Sequence, residues 1–416
     1  MDASVESPCP ARVDRVGGRA YARIVVAAVL LVVGCGGTSP TFHAFAISSD
    51  VPSSGDEFAS ALFQSVGATM APGHAVQRLD NGQMIDALVA DIERAKTSID
   101  AVMYIWEVGK ASTRLTTAIA ARARAGVACR IVIDSFGSPD FEKKVGPLLV
   151  AAGCAVRIFR PFPRNSALLR NHRKIFVIDG LVGYTGGHCI RDEWLGDGVH
   201  DEQWRDTSVR FTGPAVREAH QAIAENWQEA GGKLLGASAF PAQPTDGASR
   251  VAFVSSTASP NVTRAERLTL LSIAAAHDRL WITNAYFVPS NDVMAMLERK
   301  AAAGVDVRIL VPDEHDDSKI ALVAQRRLYP RLAKAGIRVW EYQPSMIHAK
   351  TMIVDDHLSV IGSINMDPLS LNTLDEGAIV VDDKAFADGM AQSFLQDCAR
   401  AKLEAGAPLK HVHAAQ

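Results

Sequence analysis

The sequence lacks several features that would assign it to a common functional class. It has 43 basic and 46 acidic residues among 416, so it carries no basic surplus of the kind expected in a general nucleic-acid-binding protein. It also has no glycine-rich nucleotide loop and no zinc-type spacing of cysteine and histidine. We therefore predict no cofactor, no metal ion and no nucleic-acid partner. A local basic site is still compatible with the formal net charge of −3.

A long apolar run is also missing, and this limits how the chain can meet a membrane. Residues 24–33 are apolar, but a bilayer takes roughly 20 such residues. Arginines precede this run and Gly34-Cys35 follows it, as in a bacterial lipobox. We predict a lipoprotein-type signal peptide at residues 1–34 and lipidation of Cys35, with an uncleaved anchor as the alternative. Either interpretation places the protein in a bacterial cell envelope, facing the periplasm at a membrane surface.

Cysteine is scarce, with six in the chain. Apart from the two near the N-terminus, the cysteines are Cys129, Cys154, Cys189 and Cys398, and their spacing is not that of a metal site. Cys129 and Cys154 lie near the starts of two predicted strands, so a disulfide between them is one alternative. The expected state is a pair of buried free thiols.

The composition is that of an ordinary globular protein, with 48% hydrophobic and 21% charged residues. Strand patterns alternate with helical ones, which predicts an α/β fold of two similar halves, each with a mixed sheet flanked by helices. The predicted segments are a tether at 35–73, a first half at 74–230, a linker at 231–260, a second half at 261–402 and a tail at 403–416.

Two stretches of the chain share one layout, which reads His-x-Lys, four residues, Asp, six residues and two small residues. The first copy has His172, Lys174, Asp179, Gly186 and Gly187, and the second has His348, Lys350, Asp355, Gly362 and Ser363. Residues 123–133 also resemble residues 301–311, so the duplication covers whole halves. Two similar halves would pack about a pseudo-twofold axis, which brings the two motifs into one cleft.

Each copy combines a titratable imidazole with a fixed cation. Residues i and i+2 of a strand share a face, so each histidine and its lysine point the same way. Two imidazoles and two ammonium groups in one cleft favour a phosphodiester as ligand. One histidine can attack phosphorus while the other protonates the leaving alcohol. Each also needs an acceptor on its other ring nitrogen, and the candidates are Asp206 in the first half and Glu376 in the second.

The two motifs resemble the paired HKD signatures of the phospholipase D superfamily, and the surrounding residues look most like its bacterial cardiolipin synthase branch. The resembling stretches include NHRKIFVIDG, QWRDTSVRF and MIHAKTMIVDD. The resemblance implies a metal-free mechanism with His172 as the nucleophile and His348 as the acid and base. It further implies roles for other residues: Lys174, Lys350 and Asn365 hold the phosphate, Gly187 and Ser363 let backbone approach it, and Asp206 and Glu376 orient the histidines.

Three positions qualify this assignment. Asp179 and Asp355 belong to the catalytic signature, but we interpret them as structural residues that close the turn after each strand. Cys189 stands in the first half where the second half has Asn365, so one phosphate donor is replaced by a weak thiol.

The function implied is phosphatidyl transfer from phosphatidylglycerol to the hydroxyl of a second phospholipid, which yields cardiolipin. The partner would be an anionic phospholipid at a membrane surface. With water as the acceptor the protein would be a phospholipase D. A nuclease of the same superfamily is disfavoured by the acidic net charge, and an inactive lipid-binding protein is disfavoured by the intact His-Lys pairs.

Overall fold

The structure is a computed structural model that describes residue 47 and residues 51–163, 165–259 and 261–406. The predicted signal peptide and Cys35 lie outside the described residues. So do the predicted tether before residue 51, except residue 47, and the predicted tail after residue 406. Within the described ranges, no helix is both long enough and apolar enough to span a membrane.

One sheet of 15 strands forms the centre of the described structure. Its strands are β1 (Ala71–Asp80), β2 (Ser98–Met103), β3 (Ala128–Asp134), β4 (Ala155–Phe159), β5 (Ile175–Ile178), β6 (Val182–Gly186), β7 (Thr207–Thr212), β8 (Ser249–Ser256), β9 (Arg279–Asn284), β10 (Asp306–Pro312), β11 (Arg338–Tyr342), β12 (Lys350–Val354), β13 (Leu358–Gly362), β14 (Glu376–Asp382) and β15 (Ala401–Ala405).

The strand order shows the duplication directly. The antiparallel pair β8–β1 joins the two halves. Outward from β1 the order is β7, β6, β5, β2, β3, β4, and outward from β8 it is β14, β13, β12, β9, β10, β11, with β15 added at that edge. Strands β2, β3 and β4 of the first half are parallel to one another, and so are β9, β10 and β11 of the second half. The other neighbouring strands are antiparallel, beginning with β5–β2 and β12–β9. The prediction of two similar halves with mixed sheets is confirmed.

Helices cover both faces of this sheet. They are α1 (Gly55–Val66), α2 (Gln83–Arg94), α3 (Lys110–Arg124), α4 (Phe141–Lys144), α5 (Gly146–Ala151), α6 (Ala215–Glu229), α7 (Arg264–Ala274), α8 (Asn291–Ala302), α9 (Lys319–Lys334), α10 (Pro368–Asn372) and α11 (Lys384–Cys398). One core, between the sheet and helices α6 and α11, is shared by both halves. On the opposite face each half has its own core, under α2 and α3 in the first half and under α1, α7 and α8 in the second.

The predicted tether at residues 35–73 extends too far. Helix α1 lies within it, and Phe58, Leu62 and Val66 on one face of that helix are buried in the core of the second half. Strand β1 begins at Ala71, before the predicted start of the fold. The small and polar residues around α1 hid a short amphipathic pattern, which only packing against α7 reveals.

The predicted linker and tail also contain sheet strands. Strand β8 lies inside the predicted linker at 231–260 and pairs with β1 and β14, and β15 covers the start of the predicted tail. Pro241, Pro244 and Gly247 mark an irregular segment, and it ends before β8. Each half therefore has an inner strand, β1 or β8, that local composition did not predict.

Cys129 and Cys154 form a disulfide, which corrects the expected pair of free thiols. Strands β3 and β4 are parallel neighbours, and their register places Arg130 opposite Ala155. The two cysteines precede these residues and so lie side by side, with a Cα–Cα distance of 4.6 Å. The strand register brings the two thiols together, and one sequence gives no means of reading that register.

Candidate active site

The two motifs meet because each pairs with a backbone segment of the opposite half. The amide of His172 donates a hydrogen bond to the carbonyl of Asp375 at 2.8 Å, and the amide of His348 donates to the carbonyl of Arg205 at 2.7 Å. In both cases the carbonyl belongs to the residue just before the acidic candidate. The backbone thus places each histidine beside the acid of the other half.

The histidine–acid pairs accordingly cross between the halves. Nδ1 of His172 lies 2.9 and 3.1 Å from the two carboxylate oxygens of Glu376, and Nδ1 of His348 lies 2.9 Å from Oδ2 of Asp206. Both acids were predicted from the sequence, but each was expected to pair with the histidine of its own half. The structure exchanges these partners. A carboxylate only accepts, so each Nδ1 donates its proton and each Nε2 is left for chemistry.

The two acids are held by different donors. Glu376 accepts hydrogen bonds from the hydroxyls of Ser363 and Ser370, one on each oxygen. The hydroxyl proton of Ser363 is thereby committed to the carboxylate, which leaves none for a phosphate oxygen. The predicted approach of backbone to the phosphate at Ser363 stays a prediction, and the side chain has the further role of holding Glu376.

Asp206 is held by an indole and a backbone amide. The Nε1–H of Trp194 donates to Oδ2 at 2.7 Å, and the amide of Thr207 donates to Oδ1 at 2.7 Å. Burial by itself would raise the pKa of Asp206, but the imidazoles of His188 and His348 and the ammonium of Lys350 lower it overall. Asp206 is therefore ionised at neutral pH.

Gly187 makes room for Asp206. A Cβ atom at this position would lie 2.3 Å from Oδ1 of the carboxylate, so any other residue would displace the acid. The prediction that this glycine lets backbone approach the phosphate stays a prediction, and the structure adds that its missing side chain leaves space for the partner of His348.

The two lysines lie in equivalent surroundings. The Nζ of Lys174 donates to the carbonyl of His172 at 2.7 Å, and that of Lys350 donates to the carbonyl of His348. Lys174 lies 5.3 Å from the ring of Tyr104, and Lys350 lies 5.8 Å from the ring of Tyr286. Cation–π contact supports both ammonium groups inside the protein.

Burial lowers the pKa of both lysines. For Lys350, burial and the field of Lys174 outweigh the opposing field of Asp206, and the pKa falls to about 7. The pKa of Lys174 is also lowered by burial. The charge of Lys350 therefore changes near neutral pH.

Both histidines are neutral at neutral pH. Burial lowers the pKa of His172 to about 4, with Glu376 opposing the shift and Lys174 adding to it. Burial and Lys350 lower the pKa of His348 to about 3. A neutral imidazole with Nδ1–H bound to a carboxylate presents an Nε2 lone pair, the form needed for nucleophilic attack.

Asp179 and Asp355 lie at the far ends of strands β5 and β12 from the histidines. The carboxylate of Asp179 accepts hydrogen bonds from three backbone amides at residues 96–98, and that of Asp355 accepts from three at residues 277–279. Both residues have positive φ, at 56° and 50°, in a conformation that aspartate tolerates. This geometry matches the structural interpretation and places neither side chain in the cleft.

Asn365 and Cys189 are both buried, at 3% and 1% exposure. The backbone amide of Asn365 donates to Oγ of Ser370 at 2.8 Å. The side-chain Oδ1 of Asn365 has no partner among the described residues. Burial raises the pKa of the Cys189 thiol, so it is protonated at neutral pH. At these two equivalent positions the second half therefore has the side-chain amide of Asn365, and the first half has the thiol of Cys189, which is a weak hydrogen-bond donor.

Four further site residues were not assigned a site role from the sequence: Tyr104, Tyr286, Trp194 and Ser370. The two tyrosines follow the equivalent strands β2 and β9, and that repeated position is a signal the sequence does contain. Trp194 and Ser370 also occupy matching positions, five residues after Cys189 and Asn365, and each donates to one of the two acids. Their residue types differ, so the repeat alone does not indicate this shared role.

A family model described as cardiolipin synthase, PLD-like domain, matches residues 88–194 and 270–398, and each segment contains one motif. Cardiolipin synthase A of Pseudomonas putida (strain GB-1) is 34% identical over 332 residues, which cover 79% of this chain and 69% of that protein. The chain belongs to the cardiolipin synthase, phospholipase D-like family. Cardiolipin synthase A of Yersinia pseudotuberculosis serotype O:1b is 33% identical over 357 residues, or 82% of this chain and 73% of that one.

Solved structures of other proteins have a similar fold. Phosphatidylserine synthase of Haemophilus influenzae Rd KW20 matches with a TM-score of 0.62 and 13% identity, over 83% of this chain and 92% of that one. Polyphosphate kinase of Porphyromonas gingivalis matches with a TM-score of 0.54 and 12% identity, over 80% of this chain and 48% of that one. At such low identity the similarity establishes the fold alone.

Proposed function

We propose that this family member is a phosphatidyltransferase that makes cardiolipin from phosphatidylglycerol through a phosphohistidine. The crossed histidine–acid pairs carry this proposal, because they give one cleft two neutral imidazoles with free Nε2 atoms beside two lysines. The similarity to proteins named cardiolipin synthase A supports the choice of lipid.

In the first step, Nε2 of His172 attacks the phosphorus of the donor and forms an N–P bond. The P–O bond to the leaving alcohol breaks, and that oxygen takes a proton from Nε2 of His348. Binding of an anionic phosphodiester raises the pKa of His348, which lets the histidine carry this proton. Lys174 and Lys350 stabilise the charge that develops on the phosphoryl oxygens.

In the second step, the now neutral His348 accepts a proton from the acceptor hydroxyl. The acceptor oxygen attacks phosphorus, the N–P bond breaks and His172 is regenerated. With the hydroxyl of phosphatidylglycerol the product is cardiolipin, and with water it is phosphatidic acid. Positive charge comes from the two lysines, so we expect a chelator to leave turnover unchanged.

A product assay tests this proposal. Full-length protein in detergent is incubated with phosphatidylglycerol vesicles and the lipids are resolved by mass. We expect cardiolipin with free glycerol, and neither product from His172→Ala or His348→Ala. Phosphatidic acid without cardiolipin would instead make the protein a phospholipase D, and full activity in either variant would rule out the two-histidine mechanism.

We also propose that the protein is lipid-anchored at Cys35 and faces the periplasm. The Cys129–Cys154 disulfide supports this location, because structural disulfides persist in oxidising compartments. Cys35→Ala should release the protein from the membrane fraction, whereas its retention would favour an uncleaved anchor.

A further inference from the structure

The two walls of the cleft differ in polarity although their strands are equivalent. Strands β3 and β10 occupy matching places in the sheet, and each is followed by a loop. Residues 135–139 read Ser-Phe-Gly-Ser-Pro, whereas residues 313–317 read Asp-Glu-His-Asp-Asp. One wall thus carries an uncharged loop and the other a loop with four carboxyl groups.

The first-half wall is also apolar beyond its loop. Phe162 and Leu169 are 44% and 42% exposed. Phe162 packs edge-on against Phe136 of the uncharged loop, with ring centroids 5.3 Å apart. Leu169 is three residues before His172. An apolar surface beside the nucleophile suits the diacylglycerol part of a phospholipid.

The second-half wall joins the acidic loop to the acid–base histidine. Tyr286 follows β9, and its ring lies edge-on to His348 with the ring centroids 6.1 Å apart. The hydroxyl of Tyr286 donates to Oδ1 of Asp317 at 2.7 Å. Asp317 is exposed, so its second oxygen is open to a ligand that enters on this side.

The other acidic groups of this loop each have a partner or are protonated. Asp313 binds the ring of His315 at 2.6 Å, and Glu314 lies 3.8 Å from Arg326. Asp316 is buried, and burial together with the field of Asp317 raises its pKa to about 8, so it is protonated at neutral pH. Asp317 is therefore the carboxylate that this loop presents next to Tyr286.

We propose that Tyr286 and Asp317 form the subsite for the alcohol that leaves or enters, and that this subsite recognises a vicinal diol such as the glycerol head group. One hydroxyl of the diol reacts at His348, and its neighbour donates a hydrogen bond to Asp317. A neutral polyol fits better than an ammonium head group, because Lys350 lies 5.8 Å from the Tyr286 ring and would repel a second cation.

This inference rests on the proposed function, and its test separates the acceptor step from the donor step. Full-length protein is given phosphatidylglycerol together with deuterated glycerol and 1-propanol at equal concentrations. The ratio of labelled phosphatidylglycerol to phosphatidylpropanol reports only how one phosphoenzyme divides between two alcohols. It does not depend on how fast the phosphoenzyme forms.

We expect wild-type protein to favour glycerol and Asp317→Asn to lower that ratio about tenfold, as for loss of a hydrogen bond to a charged group. Tyr286→Phe, which removes the donor that fixes Asp317, should lower it less. Glu314→Gln is the matched control, because it makes the same charge change on the same loop, and it should keep the wild-type ratio.

An unchanged ratio in Asp317→Asn would overturn the subsite, and so would an equal fall in Glu314→Gln. Failure of the proposed function would look different, because wild-type protein would then consume no lipid or would yield only phosphatidic acid, labelled in ¹⁸O water. Neither alcohol product would form, so there would be no ratio to compare.

Discussion

Single residues make the two halves of the site unequal. Each histidine has a carboxylate on Nδ1, but Glu376 is held by two serine hydroxyls and Asp206 by an indole and a backbone amide. Since each acid comes from the half opposite its histidine, neither half contains a complete catalytic pair. The proposed nucleophile His172 and the proposed acid–base group His348 each depend on the interface between the halves.

The crossed pairing predicts which step each acid supports. Glu376→Gln should slow formation of the phosphohistidine, because it weakens the hold on the nucleophile His172. With a donor such as a p-nitrophenyl ester, whose leaving group needs no proton from His348, Asp206→Asn should let the phosphohistidine form and accumulate, because His348 then fails to deprotonate the acceptor. We expect losses of about 10²–10⁴-fold in turnover. Intact-protein mass after acid-free quenching measures the adduct, and accumulation in Glu376→Gln instead would contradict the crossing.

Lys350 shows what a buried charge costs the fold. Its pKa falls from 10.5 to about 7, so between these values the unfolded chain binds more protons than the folded one. Stability therefore rises with pH across this window, and the cost of the charged lysine is fully present below pH 7.

Lys350→Met should accordingly be inactive and more stable than wild type, by about 1–4 kcal/mol at pH 6, since an apolar group replaces an unpaired buried charge. The gain should shrink as pH rises above 7. Thermal unfolding between pH 6 and 9 measures it. Wild-type activity should fall over the same rise in pH as Lys350 loses its charge, and a variant less stable than wild type at pH 6 would contradict the assignment.

At the scale of elements, each motif places its lysine at one end of a strand, beside the site, and its aspartate after the other end, where it binds backbone amides. Strand β12 starts at Lys350 beside the cleft and is followed by Asp355, which ties the turn before β9 through three backbone amides. Strand β5 is arranged in the same way between Lys174 and Asp179. The fixed spacing from lysine to aspartate is the length of a strand, so it reflects the fold and not the chemistry.

Asp355→Ala should therefore lower stability by about 1–3 kcal/mol, because three backbone amides lose their acceptor. Folded protein at low temperature should keep most of its turnover. Asp356→Ala is the matched control, since that neighbouring carboxylate is exposed and 3.6 Å from Lys384. Loss of turnover in Asp355→Ala with unchanged unfolding would show that the aspartate has a chemical role after all.

At the scale of the whole molecule, the duplicated halves share one sheet and one core. The antiparallel pair β1–β8 makes the sheet continuous, and α6 and α11 cover both halves on one face. Helix α1 precedes the first half in sequence but packs in the core of the second. The two halves are thus one folding unit.

Removal of N-terminal residues should have a sharp boundary for this reason. Protein lacking residues 1–50 keeps α1 and β1 and should fold. Protein lacking residues 1–73 loses α1 and the first residues of β1, so Phe58, Leu62 and Val66 no longer fill the second-half core and it should aggregate. Circular dichroism and gel filtration compare the two, and equal folding would mean that α1 is dispensable.

The sequence by itself determined the fold class of this protein and supplied the main residues of its proposed reaction chemistry. Duplication and alternation are local patterns, so His172, Lys174, His348 and Lys350 could be found without any structure, and so could the mixed-sheet halves. The same patterns supplied Asp206 and Glu376 as acids. Each is a property of one segment compared with another along the chain.

Only the tertiary structure decided which segments touch. The crossing of the acids, the disulfide between neighbouring strands and the packing of α1 on the far half all depend on pairing between distant residues. The commitment of Ser363 to Glu376 and the space that Gly187 leaves for Asp206 depend on it as well. Periodicity reports which face of an element is buried, but the identity of the covering element is set by the sheet register and long-range packing.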